Sequence, residues 1–103
     1  MALSHVATAS GSFLTALDAR VNYEKGLLLE DPGLLVKAMH DAHLSGYQAF
    51  MELAPVSVPS LLNAERSLSC CFISGWREAE YFEEKASCPG CQNLDGYPCQ
   101  DHI

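Results

Sequence analysis

The chain has 103 residues, with 6 lysines and arginines against 13 aspartates and glutamates, for a formal net charge of −7. This length predicts one domain with a modest core, and 49% hydrophobic residues argue against disorder. The acidic balance repels phosphates and the basic residues are spread along the chain, so nucleic acid is disfavoured as a partner. A protein partner with a basic or neutral surface fits this charge better.

The N-terminal sequence shows no targeting pattern. Residues 1–19 lack a positively charged segment followed by a continuous apolar run, so we expect no secretion signal. No apolar run in the sequence reaches the ~20 residues that a membrane-spanning helix needs. We therefore expect a cytoplasmic protein that makes no contact with membranes, in a compartment where thiols stay reduced.

The spacing of apolar residues predicts an all-α protein. Three segments repeat apolar residues every three to four positions, and none alternates with the period of a strand over a useful length. We expect a small three-helix bundle over residues 1–86, with space for a short extra helix before Gly11. Residues 87–103 are predicted to form a cysteine-rich tail that packs on the bundle as part of one structural unit.

The first predicted helix covers residues 12–25. Its apolar residues are spaced three to four apart, which predicts a single buried stripe on one side of the helix. Gly26 is predicted to cap the C-terminal end, because glycine adopts a left-handed conformation at little cost. The predicted stripe consists of Phe13, Leu14, Leu17 and Val21.

The second predicted helix has the clearest start signal in the sequence. The Asp31 side chain can accept hydrogen bonds from the first backbone N–H groups, and Pro32 suits the first helical turn. Pro55 marks the end of the segment. One side carries small residues, so we expect another helix to approach closely there. The full stripe consists of Leu35, Met39, Ala42, Gly46, Ala49 and Leu53, with Ala38 beside it.

The third predicted helix begins with Ser57 as its cap and Pro59 in its first turn, and it runs to about Lys85. At about 26 residues it would be roughly 39 Å long, so we expect its far end to project from the bundle. Gly75 is the position at which we expect a bend. Its buried side is predicted to consist of Leu61, Leu68, Phe72, Trp76 or Gly75, Ala79 and Phe82.

Two pairs of metal-ligating residues lie in the tail. Cys88 and Cys91 are separated by Pro-Gly, which favours a tight turn. After a seven-residue loop, Cys99 and His102 repeat the same spacing. Three thiolates and one imidazole delivered by two turns suit the tetrahedral geometry of Zn²⁺. The pattern resembles short zinc-knuckle sites, and it predicts a structural zinc that holds the tail in place.

Other interpretations of the cysteines stay open. Cys88 and Cys91 also fit a redox-active CxxC pair, although no predicted strand precedes them as in thioredoxin-like proteins. An iron–sulfur cluster would take its fourth thiolate from Cys70, Cys71 or a histidine. A tail without any site is the third interpretation. Within the helix, Cys71 is expected to act as a small buried apolar residue.

The C-terminal half of the third predicted helix mixes aromatic and acidic side chains. Trp76 and Tyr81 lie among glutamates that include Glu80 and Glu84. A solvated helix face explains this pattern. The sharper interpretation is an acidic patch that binds a basic protein partner, with one of the aromatic rings as its anchor.

Catalytic signals are not found in the sequence. It contains no Gly-rich phosphate loop, nucleophile elbow or zinc-protease motif. His40 and His43 share a helix face but have no carboxylate four residues away, so we assign them to a polar helix boundary.

Together, these features predict a small, acidic, non-enzymatic interaction protein with a structural zinc site. It would act as an adaptor, regulator or inhibitor of a larger protein, of the kind that phages and mobile elements encode. The alternative is a thiol-redox or metal-handling protein that uses the CxxC pair. A homodimer also fits, since the small-residue side of the second helix and the long third helix can pack against a second copy.

Overall fold

The computed structural model describes residues 10–87. It contains four helices and no residue in a β-strand, so the prediction of an all-α protein is confirmed for these residues. The helices are α1 (Gly11–Leu29), α2 (Pro32–Met51), α3 (Ser60–Asn63) and α4 (Arg66–Ser87).

The three long helices are organised around α2. Both α1 and α4 pack along α2, whereas α1 and α4 make little direct contact with each other. The single-turn helix α3 touches both of them. The largest fully buried side chains are Phe72, Leu62 and Leu68, and the rest of the core consists mainly of alanines. An alanine-rich core brings helix backbones close together, since few side chains hold them apart.

Helix α1 presents the opposite side to α2 from the one predicted. Its buried residues are Ala16, Ala19 and Gly26, which are small enough for a close approach to α2. The prediction of a buried stripe of large residues is therefore wrong. Phe13, Leu14, Leu17 and Val21 are instead 48%, 51%, 40% and 42% exposed.

The end of α1 also differs from the prediction. Gly26 does not cap the helix, which continues to Leu29, and Glu30 takes the left-handed conformation with φ 51°. Gly26 is needed for another reason: a Cβ at this position would lie 2.7 Å from a methyl carbon of Leu35 on α2. The glycine therefore permits a helix contact inside α1.

The start of α2 is as predicted. Asp31 accepts hydrogen bonds from the backbone N–H groups of Gly33 and Leu34 at 2.9 and 3.3 Å, and Pro32 occupies the first turn. The helix ends at Met51, before Pro55. Leu53, which was expected to continue the buried stripe, is instead 93% exposed in a left-handed conformation with φ 62°, because the chain reverses there.

The predicted close approach to α2 is confirmed at the α2–α4 contact. A Cβ on Gly46 would collide with the carbonyl oxygen of Phe72, and a Cβ on Gly75 would collide with the carbonyl oxygen of His43. The two backbones therefore touch at a pair of glycines. Gly75 lies within the uninterrupted helix α4, where it makes this contact.

The third predicted helix is interrupted. Helix α3 ends at Asn63 and α4 begins at Arg66, and Pro59 rather than Ser57 occupies the cap position of α3, without a side-chain hydrogen bond. Residues of α1 bind this junction: the Tyr23 hydroxyl donates to the Glu65 carboxylate at 2.9 Å. The predicted buried side is right at Leu68, Phe72 and Ala79, whereas Phe82 is 46% exposed.

Among residues 10–87, no helix combines the length and apolar character required to cross a membrane.

Candidate functional site

The outward stripe of α1 is the most prominent feature of the described surface. We define it as Leu14, Leu17, Val21 and Leu28, of which Leu28 is the most exposed at 82%. At about 100° of rotation per residue, these four side chains lie within about 60° of one another on the helix. They project away from the buried side of the helix, which carries Ala16, Ala19 and Gly26. Helix α1 thus has a small-residue side that packs on α2 and a large-residue side that faces solvent.

The outward stripe is large for an isolated surface. At the observed exposures it presents on the order of 400 Å² of apolar area, the size at which exposed patches commonly mark binding sites. At one end it merges with Leu27 and Leu29, which are also mostly exposed, in the turn before α2. Scattered apolar residues on a surface are ordinary, but a row along one helix, interrupted only at Glu24, indicates a contact surface.

Charged residues line both edges of the outward stripe. Asp18 and Lys25 are exposed and lie seven residues apart, so they occupy the same edge two turns from each other. On the other edge, Arg20 and Glu24 form an ion pair at 2.8 Å. Helix α1 therefore carries two acidic and two basic residues and is locally neutral, although the whole chain has a net charge of −7.

The four residues that were predicted to form a partner-binding surface on the third helix all lie on α4. Their surroundings differ from one residue to the next. Trp76 is partly buried: its indole N–H donates to the carbonyl of Ala54 at 3.1 Å, and its ring meets Phe50 edge-on with centroids 5.2 Å apart. These contacts fix the loop after α2. Tyr81 is exposed and packs obliquely on Phe82, with ring centroids 5.8 Å apart.

The two glutamates of that predicted surface lie on the same side of α4 as Trp76, since the three are spaced by four residues. Glu80 lies 3.8 Å from Arg77 in a loose, exposed ion pair. Glu84 is exposed and has interactions of its own. The structure therefore brings Trp76, Glu80 and Glu84 onto one side of α4, with Tyr81 adjacent to it.

A polar cleft lies between α2 and α4. The imidazole Nε2 of His43 contacts the Glu78 carboxylate at 2.5 Å, and His40 lies one turn away. Cys71 is also close to the histidines, and burial raises the pKa of its thiol, with a smaller contribution from Cys70. Sequence spacing did not reveal the His43–Glu78 pair, because the two residues are 35 positions apart on different helices.

The cleft does not amount to a metal centre. Within residues 10–87, no three histidine, cysteine, aspartate or glutamate side chains come together in a way that could hold a metal ion. The predicted zinc ligands Cys88, Cys91, Cys99 and His102 lie outside the described residues.

Comparison of the chain with known protein families, curated proteins and solved structures found no match.

Proposed function

We propose that this protein is a small, acidic interaction protein without catalytic activity, which binds protein surfaces through the outward stripe of α1. The observation that supports this most directly is the orientation of α1. Its small residues face the core, and its large apolar residues face solvent. The folded chain therefore has an exposed row of apolar side chains that lie outside its core.

The stripe can form the apolar centre of a small interface. Its area, on the order of 400 Å², is about half of the roughly 800 Å² that each partner contributes to a standard-sized interface. The net charge of −7 favours partners whose surfaces are basic or neutral. An adaptor, regulator or inhibitor of a larger protein needs a stable scaffold and one such surface.

Photo-crosslinking tests this proposal. A photoreactive amino acid is incorporated at Val21, in the centre of the outward stripe, and in parallel at Ser74, an exposed position on α4. In the cells that produce the protein, we expect adducts of discrete mass from Val21 that do not form from Ser74. Identical patterns from both positions, or no adduct from Val21, would contradict the proposal.

We also propose that the cysteine-rich tail, residues 87–103, binds one structural Zn²⁺ through Cys88, Cys91, Cys99 and His102. The support is the repeated three-residue spacing in the sequence and the ligand chemistry, three thiolates and one imidazole. With four protein ligands, such a zinc has no open coordination position, and its role would be to fold the tail.

Native mass spectrometry of the reduced protein tests the zinc proposal. We expect one bound zinc that a strong chelator removes, and a lower thermal stability for Cys91→Ala. Cys70→Ala, which changes an exposed cysteine on α4, is the matched control and should keep both zinc and stability. A metal-free protein with a titratable CxxC couple would instead support the thiol-redox alternative.

A further inference from the structure

We propose that the outward stripe of α1 binds a second copy of this chain, in an antiparallel helix pair with two-fold symmetry. This inference rests on the proposed function, because it names the partner of the same surface. It draws on two features of α1: the spacing of the stripe and the placement of the charges along its edges.

The spacing of the outward stripe is that of a helix-pairing seam. Leu14, Leu17, Val21 and Leu28 are separated by three, four and seven residues, which are the core spacings of a two-stranded coiled coil. The missing core position between Val21 and Leu28 is occupied by Glu24, whose carboxylate is already paired with Arg20. A second helix can therefore lie along α1 for about two turns on either side of Val21.

One antiparallel register with two-fold symmetry pairs the leucines of the stripe with each other. In this register, two residues face each other across the pair when their numbers add to 45. Leu17 of each copy therefore contacts Leu28 of the other copy, so this contact occurs twice. Val21 then faces the aliphatic stem of Glu24 near the two-fold axis. The most exposed leucine of the stripe is thereby covered by the partner, which removes the largest contact of the stripe with water.

The charges agree with the same register. Asp18 and Lys25 lie on one edge of the stripe and are both exposed. In the antiparallel pair, this edge meets the same edge of the second copy, so Asp18 lies beside Lys25 twice. In a parallel pair, Arg20 of one copy would instead approach Lys25 of the other, which is repulsive. The local neutrality of α1 also lets two chains of charge −7 meet there.

Light scattering on the purified, reduced, full-length chain tests the inference across a range of concentrations. We expect a mass of twice 11.2 kDa at high concentration that falls on dilution. Leu17→Glu should be monomeric, because it buries a charge at the Leu17–Leu28 contact. Leu44→Glu, on the exposed surface of α2, is the matched control and should dimerise as the wild type does.

A charge exchange tests the orientation. Asp18→Lys alone should weaken the dimer on the order of tenfold, since it replaces two attractive pairs with two repulsive ones. Adding Lys25→Asp to the same chain should restore the wild-type dissociation constant. All of these variants should retain the wild-type helix content by circular dichroism, because they change side chains that face solvent within the single copy.

Three results would overturn the inference. They are a wild-type chain that is monomeric throughout, a Leu17→Glu variant that still dimerises, and a double exchange that fails to restore binding. A monomer in which Val21 still crosslinks to another protein would refute the dimer and leave the proposed function intact. A monomer without any Val21 adduct would refute both.

Discussion

Gly46 and Gly75 are the residues at which α2 and α4 approach most closely. Each lacks a side chain opposite a backbone carbonyl of the other helix, that of Phe72 for Gly46 and that of His43 for Gly75. A methyl group at either position has no space, because it would meet backbone atoms that cannot rotate away. Glycine is usually unfavourable inside a helix, so its presence at both positions is explained by the contact.

We therefore expect Gly46→Ala to lower the free energy of unfolding by about 2 kcal/mol or more, as overpacked cores do. Gly11→Ala is the matched control, since its new methyl group would lie 3.6 Å from the flexible Glu52 side chain, an ordinary contact distance. Urea unfolding followed by circular dichroism measures both. Equal stabilities for the two variants would show that α2 and α4 do not touch at Gly46.

Among the contacts between helices, two hydrogen bonds from α1 stabilise the junction between α3 and α4. Arg20 donates to the carbonyl of Leu61 at 3.2 Å, and Tyr23 donates to Glu65 at 2.9 Å. The hydrogen bond to Glu65 is the main reason that the pKa of Tyr23 lies above its usual range, and burial adds to it. The neutral phenol is therefore the form that the fold favours.

This raised pKa predicts a pH dependence. Tyr23→Phe removes the hydrogen bond and should cost about 1 kcal/mol or less near neutral pH, because the pair is only partly buried. Above about pH 10, the unfolded chain ionises Tyr23 before the folded chain does, so the advantage of the wild type should decline as pH rises through the raised pKa. Paired unfolding curves between neutral and alkaline pH measure the difference. A constant difference across that range would rule out the hydrogen bond as the cause.

Sequence patterns located the helices better than they oriented them. The Asp31-Pro32 start of α2 is a local signal, and it was correct because a cap depends on residues next to it. The apolar spacing of α1 correctly indicated a helix with one apolar side. The prediction placed that side in the core. Which side of a helix is buried also depends on how closely neighbouring backbones can approach, and the small residues Ala16, Ala19 and Gly26 allow the closer contact. Periodicity alone does not contain this information.

For the whole molecule, the packing around α2 decides which surface is left for binding. Two small-residue contacts, one with α1 and one with α4, leave the larger apolar side chains of α1 outside. Leu14, Leu17 and Val21 of the candidate site were visible in the sequence as a stripe but were assigned to the core, whereas Leu28 lay beyond the predicted end of the helix. The His43–Glu78 pair escaped prediction for a related reason, since it exists only once α2 and α4 are packed.

The orientation of α1 is the central claim, and a pair of substitutions tests it most directly. Denaturant unfolding is measured for Ala19→Leu and Leu17→Ala at protein concentrations where the chain is monomeric. We expect Ala19→Leu to lower the free energy of unfolding by about 2 kcal/mol, because Ala19 is fully buried in the core. Leu17→Ala should change it by less than about 0.5 kcal/mol, as exposed positions do. The opposite order, with Leu17→Ala the more destabilising, would place the large residues of α1 in the core and contradict the account.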